Sequence, residues 1–369
     1  MSISDHTRTI TVTVGGSPVT LPVLRGEVTA DEEWSPYVQG SVELAQVASN
    51  VWAALDPKQN PVPRVTVDLE QSFGTWNAFT RADTSLSTEL VVRSRRRRRT
   101  GEVTLTLESD EALAQDYRSL EPMPLWLNQT DYVDAIDQVL TFIGASIGSA
   151  PPDTTVDGGL NFFLEPGQTL WDAIEPILQH AGLRLFVWDG VWTLVPHPQN
   201  VDGQIILGHD PFDNVLDATD EDVLDATDED GYFDAVIIGY SYDDTIVYDI
   251  AQVTSPTKVL ALQYDIPYPG GGAAKRVLNR RLQRGEGRNV TAVANYDVRP
   301  GMALAILTGD SWSMGRVAAV TWSLRERSMT IRARAVTEAA PTVYAWLLAP
   351  PGKAWTDIAL GVKWTDYAP

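Results

Sequence analysis

Residues 89–108 read Glu-Leu-Val-Val-Arg-Ser-Arg-Arg-Arg-Arg-Arg-Thr-Gly-Glu-Val-Thr-Leu-Thr-Leu-Glu. The flanks of the arginine run, Glu89–Val92 and Glu102–Glu108, follow the polar and apolar alternation that is typical of strands. Thr100 and Gly101 supply a turn between them. The stretch therefore predicts a β-hairpin that carries these arginines at its end: Arg93, Arg95, Arg96, Arg97, Arg98 and Arg99. Because the net charge of the chain is −21, we expect them to pair with carboxylates rather than nucleic acid.

The same alternation recurs through the first 120 residues. It predicts a hairpin around Gly15-Gly16 and further strands at Gly26–Thr29, Ser41–Leu44 and Arg64–Leu69. About six short strands separated by turn residues are typical of a small barrel or sandwich.

The pattern changes after residue 125, where helical periodicity appears. The predicted elements are a helix from Tyr132 to Ile143 capped by Thr130 or Asp131, a second helix capped by Thr169 and Gly182, and two strands, Leu183–Trp188 and Val191–Val195, joined at Asp189-Gly190. Together they predict a small α/β module.

A second β-rich unit follows. Ala235–Tyr240 is a predicted buried strand, and Ala273–Arg284 is a predicted basic amphipathic helix. Its arginines are expected on the exposed side: Arg276, Arg280, Arg281 and Arg284. The strands predicted after it are Asn289–Ala294, Met302–Leu307, Arg316–Ser323 and Met329–Val336.

Composition narrows the class of protein. The chain has 369 residues, 44% of them apolar, and no cysteine, which excludes disulfides, zinc–thiolate sites and thiol nucleophiles. Its four histidines lack the spacing of a metal site, and no apolar run is long enough for a membrane span. The negative net charge also disfavours binding of free nucleic acid.

About half of that charge lies in Asp210–Asp234, which holds eleven acids and no Lys or Arg. Within it, Val-Leu-Asp-Ala-Thr-Asp-Glu-Asp occurs twice, at Val215–Asp222 and Val223–Asp230. A perfect duplication is tolerated where an insertion does no harm, so we predict an exposed acidic loop. A calcium loop is the alternative, but Ala226 and Ile237 occupy positions that require ligating acids.

No catalytic motif is evident. Neither a Gly-x-Ser-x-Gly elbow nor His-Glu-x-x-His occurs, and no carboxylate pair stands out as that of a glycosidase. Pro269–Lys275 has the glycines of a phosphate-binding loop but not its flanking residues. We expect no enzyme activity, no cofactor and no metal, and we interpret His180 as a cation at a helix C-terminus.

Four groups of segments, in their order over about residues 5–340, resemble the baseplate-hub proteins of phage tails, often called minor tail proteins in long-tailed phages of actinobacteria. They are Gly26–Thr29 with Trp34–Gln39; Val92–Arg95 with Leu107–Leu113; Thr169–Ile174 with Gly182-Leu183; and Arg299–Met302 with Gly315–Val317 and Met329–Ile331.

The resemblance implies a mainly β fold with an α+β insert: two small β-barrel hub domains, a small α/β module and assembly as a homotrimer. Six barrels in a ring would match a sixfold tail tube or distal tail ring above and a threefold tip below. The implied partners are further copies of this chain, a distal tail protein or tail tube ring, the tape measure protein, a downstream tip or fibre protein, and genomic DNA passing through the lumen. The implied location is the tail tip of the virion.

On this basis the chain divides into five segments. They are a barrel domain at 1–125, the α/β module at 126–205, the acidic repeat loop and connecting strand at 206–248, a second barrel domain at 249–340, and a Trp-rich docking tail at 341–369. The candidate interface residues are Arg95, Arg96, Arg97, Arg98, Arg99, Arg276, Arg280, Trp355 and Trp364.

Two alternatives stay open. A carbohydrate- or cell-wall-binding tail module is favoured by the 12 Trp and 12 Tyr of the chain. A tail-associated hydrolase would need a localised carboxylate pair or a metal site.

Overall fold

The computed structural model describes residues 4–73, 83–152, 155–208, 215–221, 232–266, 268–282, 287–308 and 311–339. They form a mainly β fold, as predicted, in which one large sheet curls into a half-barrel.

Seven strands and a short helix precede residue 109. They are β1 (Ser4–Val14), β2 (Ser17–Thr20), β3 (Val23–Asp31), β4 (Val38–Leu44), α1 (Ser49–Ala54), β5 (Arg64–Phe73), β6 (Thr84–Arg97) and β7 (Val103–Glu108). Both predicted hairpins are confirmed, since β1 pairs with β2 and β6 pairs with β7. Gly15, Gly16 and Gly101 in their turns have positive φ, which glycine adopts at little cost.

The elements of the α/β region follow, and the predicted two helices and two strands are among them as α3, α4, β11 and β12. The elements are α2 (Glu111–Asp116), β8 (Leu125–Asp131), α3 (Tyr132–Leu140), β9 (Ile147–Ser149), β10 (Thr155–Leu164), α4 (Leu170–Ala181), β11 (Leu183–Trp188) and β12 (Val191–Pro196). The caps are confirmed: the Asp131 carboxylate accepts from the Val133 N–H, Thr169 forms a capping box with Asp172, and Gly182 ends α4 in the left-handed conformation.

The remaining elements include the predicted basic helix and the four strands after it. They are β13 (Gln204–Leu207), β14 (Val215–Glu221), β15 (Ala235–Tyr242), β16 (Thr245–Gln252), β17 (Val259–Tyr264), α5 (Ala273–Leu282), β18 (Gly287–Val293), β19 (Ala303–Thr308), β20 (Ser311–Ser323) and β21 (Ser328–Ala339).

The first copy of the acidic duplication is a strand, so the prediction of a loop was wrong there. This strand, β14, pairs with β18 at the edge of the large sheet. Val215 and Ala218 pack against the core, whereas Asp217 stays exposed. An edge strand tolerates such charges because one side of it faces water. The second copy, with the calcium-loop positions Asp228 and Asp230, lies outside the described residues.

The large sheet contains strands from both β-rich units. Its thirteen strands run in the order β14-β18-β21-β20-β3-β4-β7-β6-β5-β1-β2, with β19 and β13 attached beside β20. The two units meet where β20 pairs with β3, from Ala319 opposite Asp31 to Ser323 opposite Glu27. We call this ladder the seam.

Two hydrophobic clusters hold the layers together. One covers the inner face of the large sheet, and the other joins α3, α4 and α5 to the three-stranded sheet β16-β15-β17. The β11–β12 hairpin lies between them, because Phe186 packs into the first cluster whereas Leu185 and Val187 pack into the second. Burial on both faces explains why β11 is mostly apolar.

Two carboxylates are buried beside the seam. Asp31 and Glu32 are 1% and 0% exposed. Arg332 Nη2 donates to Asp31 Oδ2 at 2.8 Å, and Arg334 Nη2 donates to Glu32 Oε2 at 3.0 Å and to the carbonyl oxygen of Gln199 at 2.9 Å. Each buried charge therefore has a cationic partner, without which its burial would be strongly unfavourable.

We expect Arg334→Met to lower the free energy of unfolding by about 3–5 kcal/mol, because it leaves the Glu32 carboxylate buried without its cation. Arg325→Met, at an exposed arginine between β20 and β21, is the matched control and should change stability by less than about 0.5 kcal/mol. Chemical denaturation at neutral pH measures both. If Arg334→Met lowered the free energy of unfolding as little as Arg325→Met does, the role given to Arg334 would be contradicted.

Candidate assembly surfaces

The side of the large sheet that points away from its core is polar over most of its strands. Pairing places one residue from each strand in a row across the sheet, such as Thr291, Thr330, Thr321, Thr29, Gln39 and Glu108. The Thr29 and Thr321 hydroxyl oxygens lie 2.8 Å apart across the seam. We call this surface the polar face. Cross-strand hydroxyl pairs of this kind stabilise a sheet without apolar contact.

The polar face is more acidic than basic. The carboxylates in its rows are Asp5, Glu27, Asp31, Glu43, Asp68, Glu70, Glu89, Glu108 and Asp217, and the arginines are Arg25, Arg64, Arg96 and Arg332. Some are neutralised, as where Arg25 Nε lies 2.7 Å from Glu43 Oε2. A groove of about 600 Å³ follows the seam and is lined by Glu27, Ser41, Thr321 and other polar residues.

Strand alternation divides the arginine run between two faces of β6. A β-bulge lies at Arg93. Beyond it, the guanidinium groups of Arg95 and Arg97 lie 4.1 and 4.2 Å from the ring centre of Trp52 in α1. This cation–π arrangement holds Arg95 and Arg97 against α1, although Arg97 is exposed, as are Arg96, Arg98 and Arg99.

Carboxylates of the same chain pair with part of this run, as predicted. Arg95 Nη2 lies 2.6 Å from Asp56 Oδ2. Arg98 lies 3.7 Å from Glu43 and 3.6 Å from Glu102, and because these side chains are exposed, each pair contributes little to stability. In the described contacts, the arginine run therefore serves mainly to attach the β6–β7 hairpin to α1.

The prediction that α5 exposes its arginines was wrong. Arg281 is 7% exposed, and Arg276 and Arg280 are half-buried. Arg276 donates to the His180 carbonyl at the C-terminus of α4, and Arg280 Nη2 lies 3.5 Å from Gln179 Oε1. The physical reason is that α5 packs against α4, whose carbonyl end attracts cations. Arg284 lies outside the described residues.

The same packing changes the protonation of His180. Burial lowers the pKa of its imidazole from the ordinary 6.5, and the positive charge of Arg276 lowers it further. The interpretation of His180 as a cation at the end of α4 was therefore wrong: the ring is neutral at pH 7, and Arg276 supplies the positive charge there.

A carboxylate of the chain occupies the start of α5. Asp249 Oδ2 in β16 accepts hydrogen bonds from the N–H groups of Gly272 and Ala274, both at 2.9 Å. It takes the position that an anion would hold at this helix N-terminus. The glycines of Pro269–Lys275 therefore serve the entry into α5 rather than a bound phosphate.

A second surface is the outer face of the sheet β16-β15-β17. Ile246, Tyr248, Ile250 and Val259 lie on it, each 51–57% exposed. We call it the apolar face. This face was not predicted, although Thr245–Gln252 carries the signal: apolar residues occupy both faces of this strand, whereas a strand with one face in water alternates. Exposed apolar patches on a folded protein commonly mark interfaces.

Other candidate positions are not described. Trp355 and Trp364 lie outside the described residues.

Within the described ranges, no group of three or more His, Asp or Glu residues could hold a metal ion. None of the helices in that part of the chain has the length and apolar character to cross a membrane.

Comparison with solved structures shows what the fold is similar to. The tail protein from Neisseria meningitidis MC58 matches with a TM-score of 0.59 and 13% identity over 89% of this chain and 96% of that one. The 43 kDa tail protein of prophage MuSo2 from Shewanella oneidensis matches with a TM-score of 0.57 and 13% identity. The match covers 88% of this chain and 98% of that one.

A third match is the E. coli c3393 protein, a component of the type VI secretion system with structural similarity to the T4 tail proteins gp27 and gp5. Its TM-score is 0.50 at 10% identity, over 89% of this chain and 77% of that one. No family model matches the sequence, and none of the curated proteins matches it. At these identities the likeness shows a shared tail-protein fold, which confirms the hub-like fold class.

We expect His180→Gln to flatten part of the pH dependence of stability. The pKa of His180 is lower in the folded protein than in the unfolded one. His180 therefore stabilises the folded state above about pH 6.5, and this stabilisation is lost as the pH falls through the folded pKa. The loss of unfolding free energy between about pH 7.5 and pH 5 should thus be smaller in the variant than in the wild type. Identical losses would contradict a depressed pKa for His180.

Proposed function

We propose that this protein is a baseplate-hub protein at the tip of a phage tail. Three copies form a ring that joins a sixfold tail tube or distal tail ring to a threefold tip. The observation that carries the proposal is the shared fold, which extends over 89% of the chain and 96% of the Neisseria meningitidis tail protein.

The organisation of the large sheet supports this role. Two β-rich units, in the proposed barrel domains 1–125 and 249–340, meet at the seam. Three chains would bring six such units into one ring, so that a threefold assembly presents a nearly sixfold surface. In this proposal the segment 126–205 is the α/β module and 341–369 a docking tail.

We assign the polar face to the lumen of the ring. Three of its four arginines, Arg25, Arg64 and Arg332, are paired with carboxylates of the chain, so the face offers DNA no row of cations along which phosphates would displace counterions. Glu27, Asp68 and Glu70 would instead repel the passing phosphates. The genome, the tape measure protein and the distal tail protein or tube ring are the proposed partners along this axis, and the tip or fibre protein lies below.

We assign the apolar face to contact between copies of the chain. Ile246, Tyr248 and Ile250 would each remove apolar area from water on assembly, which is the main favourable term in association. Of the candidate interface residues, Arg99 keeps that role as an exposed cation, whereas Arg96 lies on the polar face. Arg95, Arg97, Arg98, Arg276 and Arg280 have contacts within the chain, so any part they take in an interface would be additional.

The oligomeric state tests the proposal. Light scattering of the purified chain should give about three times the 40.5 kDa of one subunit. Ile250→Asp should shift the protein towards the monomer, because it places a charge in a desolvated contact. The matched control is Thr106→Asp, an exposed position on the polar face, which should leave the trimer intact.

A trimer that is unchanged in Ile250→Asp would contradict the assignment of the apolar face. A wild-type monomer at every concentration would contradict self-assembly of the isolated chain. It would favour the cell-wall-binding alternative, which a pull-down on purified host cell wall tests directly.

The docking tail has its own test. Deletion of Thr342–Pro369 should leave the trimer intact but stop addition of the next tip component, because Trp355 and Trp364 are the proposed anchors. Electron microscopy of particles that carry the deletion measures this. A complete tip on such particles would contradict the assignment.

A further inference from the structure

A cleft of about 140 Å³ lies between the α/β module and the large sheet, and the proposed tail function makes no use of it. Its walls come from α4, α5, the β11–β12 hairpin and the connection between β3 and β4. The polar side chains that line it are Glu33, Ser35, Glu175, Gln179, Arg184, His197, Arg280 and Arg281.

Four polar atoms of this cleft are buried and have no hydrogen-bond partner in the described structure. They are Nε and Nη2 of Arg184, Oγ of Ser35 and Nδ1 of His197. The His197 side chain is only 5% exposed. No described carboxylate lies within 4.0 Å of the Arg184 guanidinium, although the buried Glu111 carboxylate attracts it from a greater distance. Buried donors are normally satisfied, so their convergence on one cleft indicates an occupant.

The charge of the cleft indicates the sign of that occupant. Arg184, Arg280 and Arg281 contribute three positive charges, whereas Glu33 and Glu175 contribute two negative ones. Glu33 is already engaged: its Oε1 lies 3.5 Å from His197 Nε2 and its Oε2 lies 3.8 Å from Arg280 Nε.

His197 adds no charge of its own. Burial lowers the pKa of its imidazole well below 6.5, and four arginines, led by Arg280, lower it further. The ring is therefore neutral, and an anion would be attracted mainly by guanidinium groups, which suit oxyanions geometrically.

We propose that this cleft binds a tetrahedral oxyanion of the phosphate or sulfate class. Arg184 donates through Nε and Nη2 in the paired geometry that such oxygens accept. Ser35 Oγ donates a third hydrogen bond. The Glu175 carboxylate at the cleft opposes any anion, so the three guanidinium groups that line the cleft must outweigh it.

The bound anion would link β11 to the β3–β4 connection. It would thereby hold the α/β module against the large sheet. This inference concerns a single chain and does not depend on the proposed role in a phage tail.

The test is thermal unfolding of the full chain in sodium phosphate and in sodium chloride at equal ionic strength. We expect phosphate to raise Tm saturably, by about 3 °C at a tenfold excess over its dissociation constant. The rise should be lost in Arg184→Met. Arg325→Met, an exposed arginine outside the cleft, is the control and should keep the full rise.

Ser35→Ala provides a second variant in case Arg184→Met does not fold, since it removes only one hydroxyl. Its half-saturating phosphate concentration should rise several-fold. Crystals soaked in selenate should show anomalous scattering in the cleft. The proposal is overturned if phosphate raises Tm no more than chloride does, if Ser35→Ala or Arg184→Met responds as the wild type does, or if the crystals show only water in the cleft.

Discussion

The burial of Asp31 and Glu32 beneath Arg332 and Arg334 is the constraint on which the rest of the structure depends. A charged carboxylate that is buried without a cation is strongly destabilising, so the end of β3 must stay against β21. This requirement joins residues about 300 positions apart and holds the seam in register. The chain then continues from Glu32 into the β3–β4 connection, which reaches α4 and α5.

The two-residue period of the strands organises the surfaces that follow from this seam. Alternate residues of β3, β4, β7 and β20 enter the large core, and those between them form the polar face. The arginine run of β6 follows the same period. The Arg95 and Arg97 side chains contact Trp52, whereas Arg96, between them, lies on the polar face. A single strand thus directs two arginines towards Trp52 and another to the polar face.

Much of the local structure could be predicted because its causes lie within a few residues. The capping box of Thr169 and Asp172, the left-handed Gly182 and the Asp189-Gly190 turn each depend on neighbours in the chain. The candidate surfaces were harder to predict. The burial of Arg281 depends on α5 meeting α4, and the strand formed by Val215–Glu221 depends on a free edge at β18. Neither partner is near in sequence.

By itself, then, the sequence determined most strands of the two β-rich units, the helices α3, α4 and α5 and several caps and turns, and the order of segments indicated the hub-like fold. Alternation, caps and glycines act over short distances, and so they can be recognised without a structure. Only the tertiary structure decided which charges are buried, that one seam joins the two β-rich units, and that Arg184, Ser35 and His197 meet in one cleft. These outcomes depend on which distant surfaces pack together, because burial and pairing energies are set by neighbours that the chain brings close only when it folds.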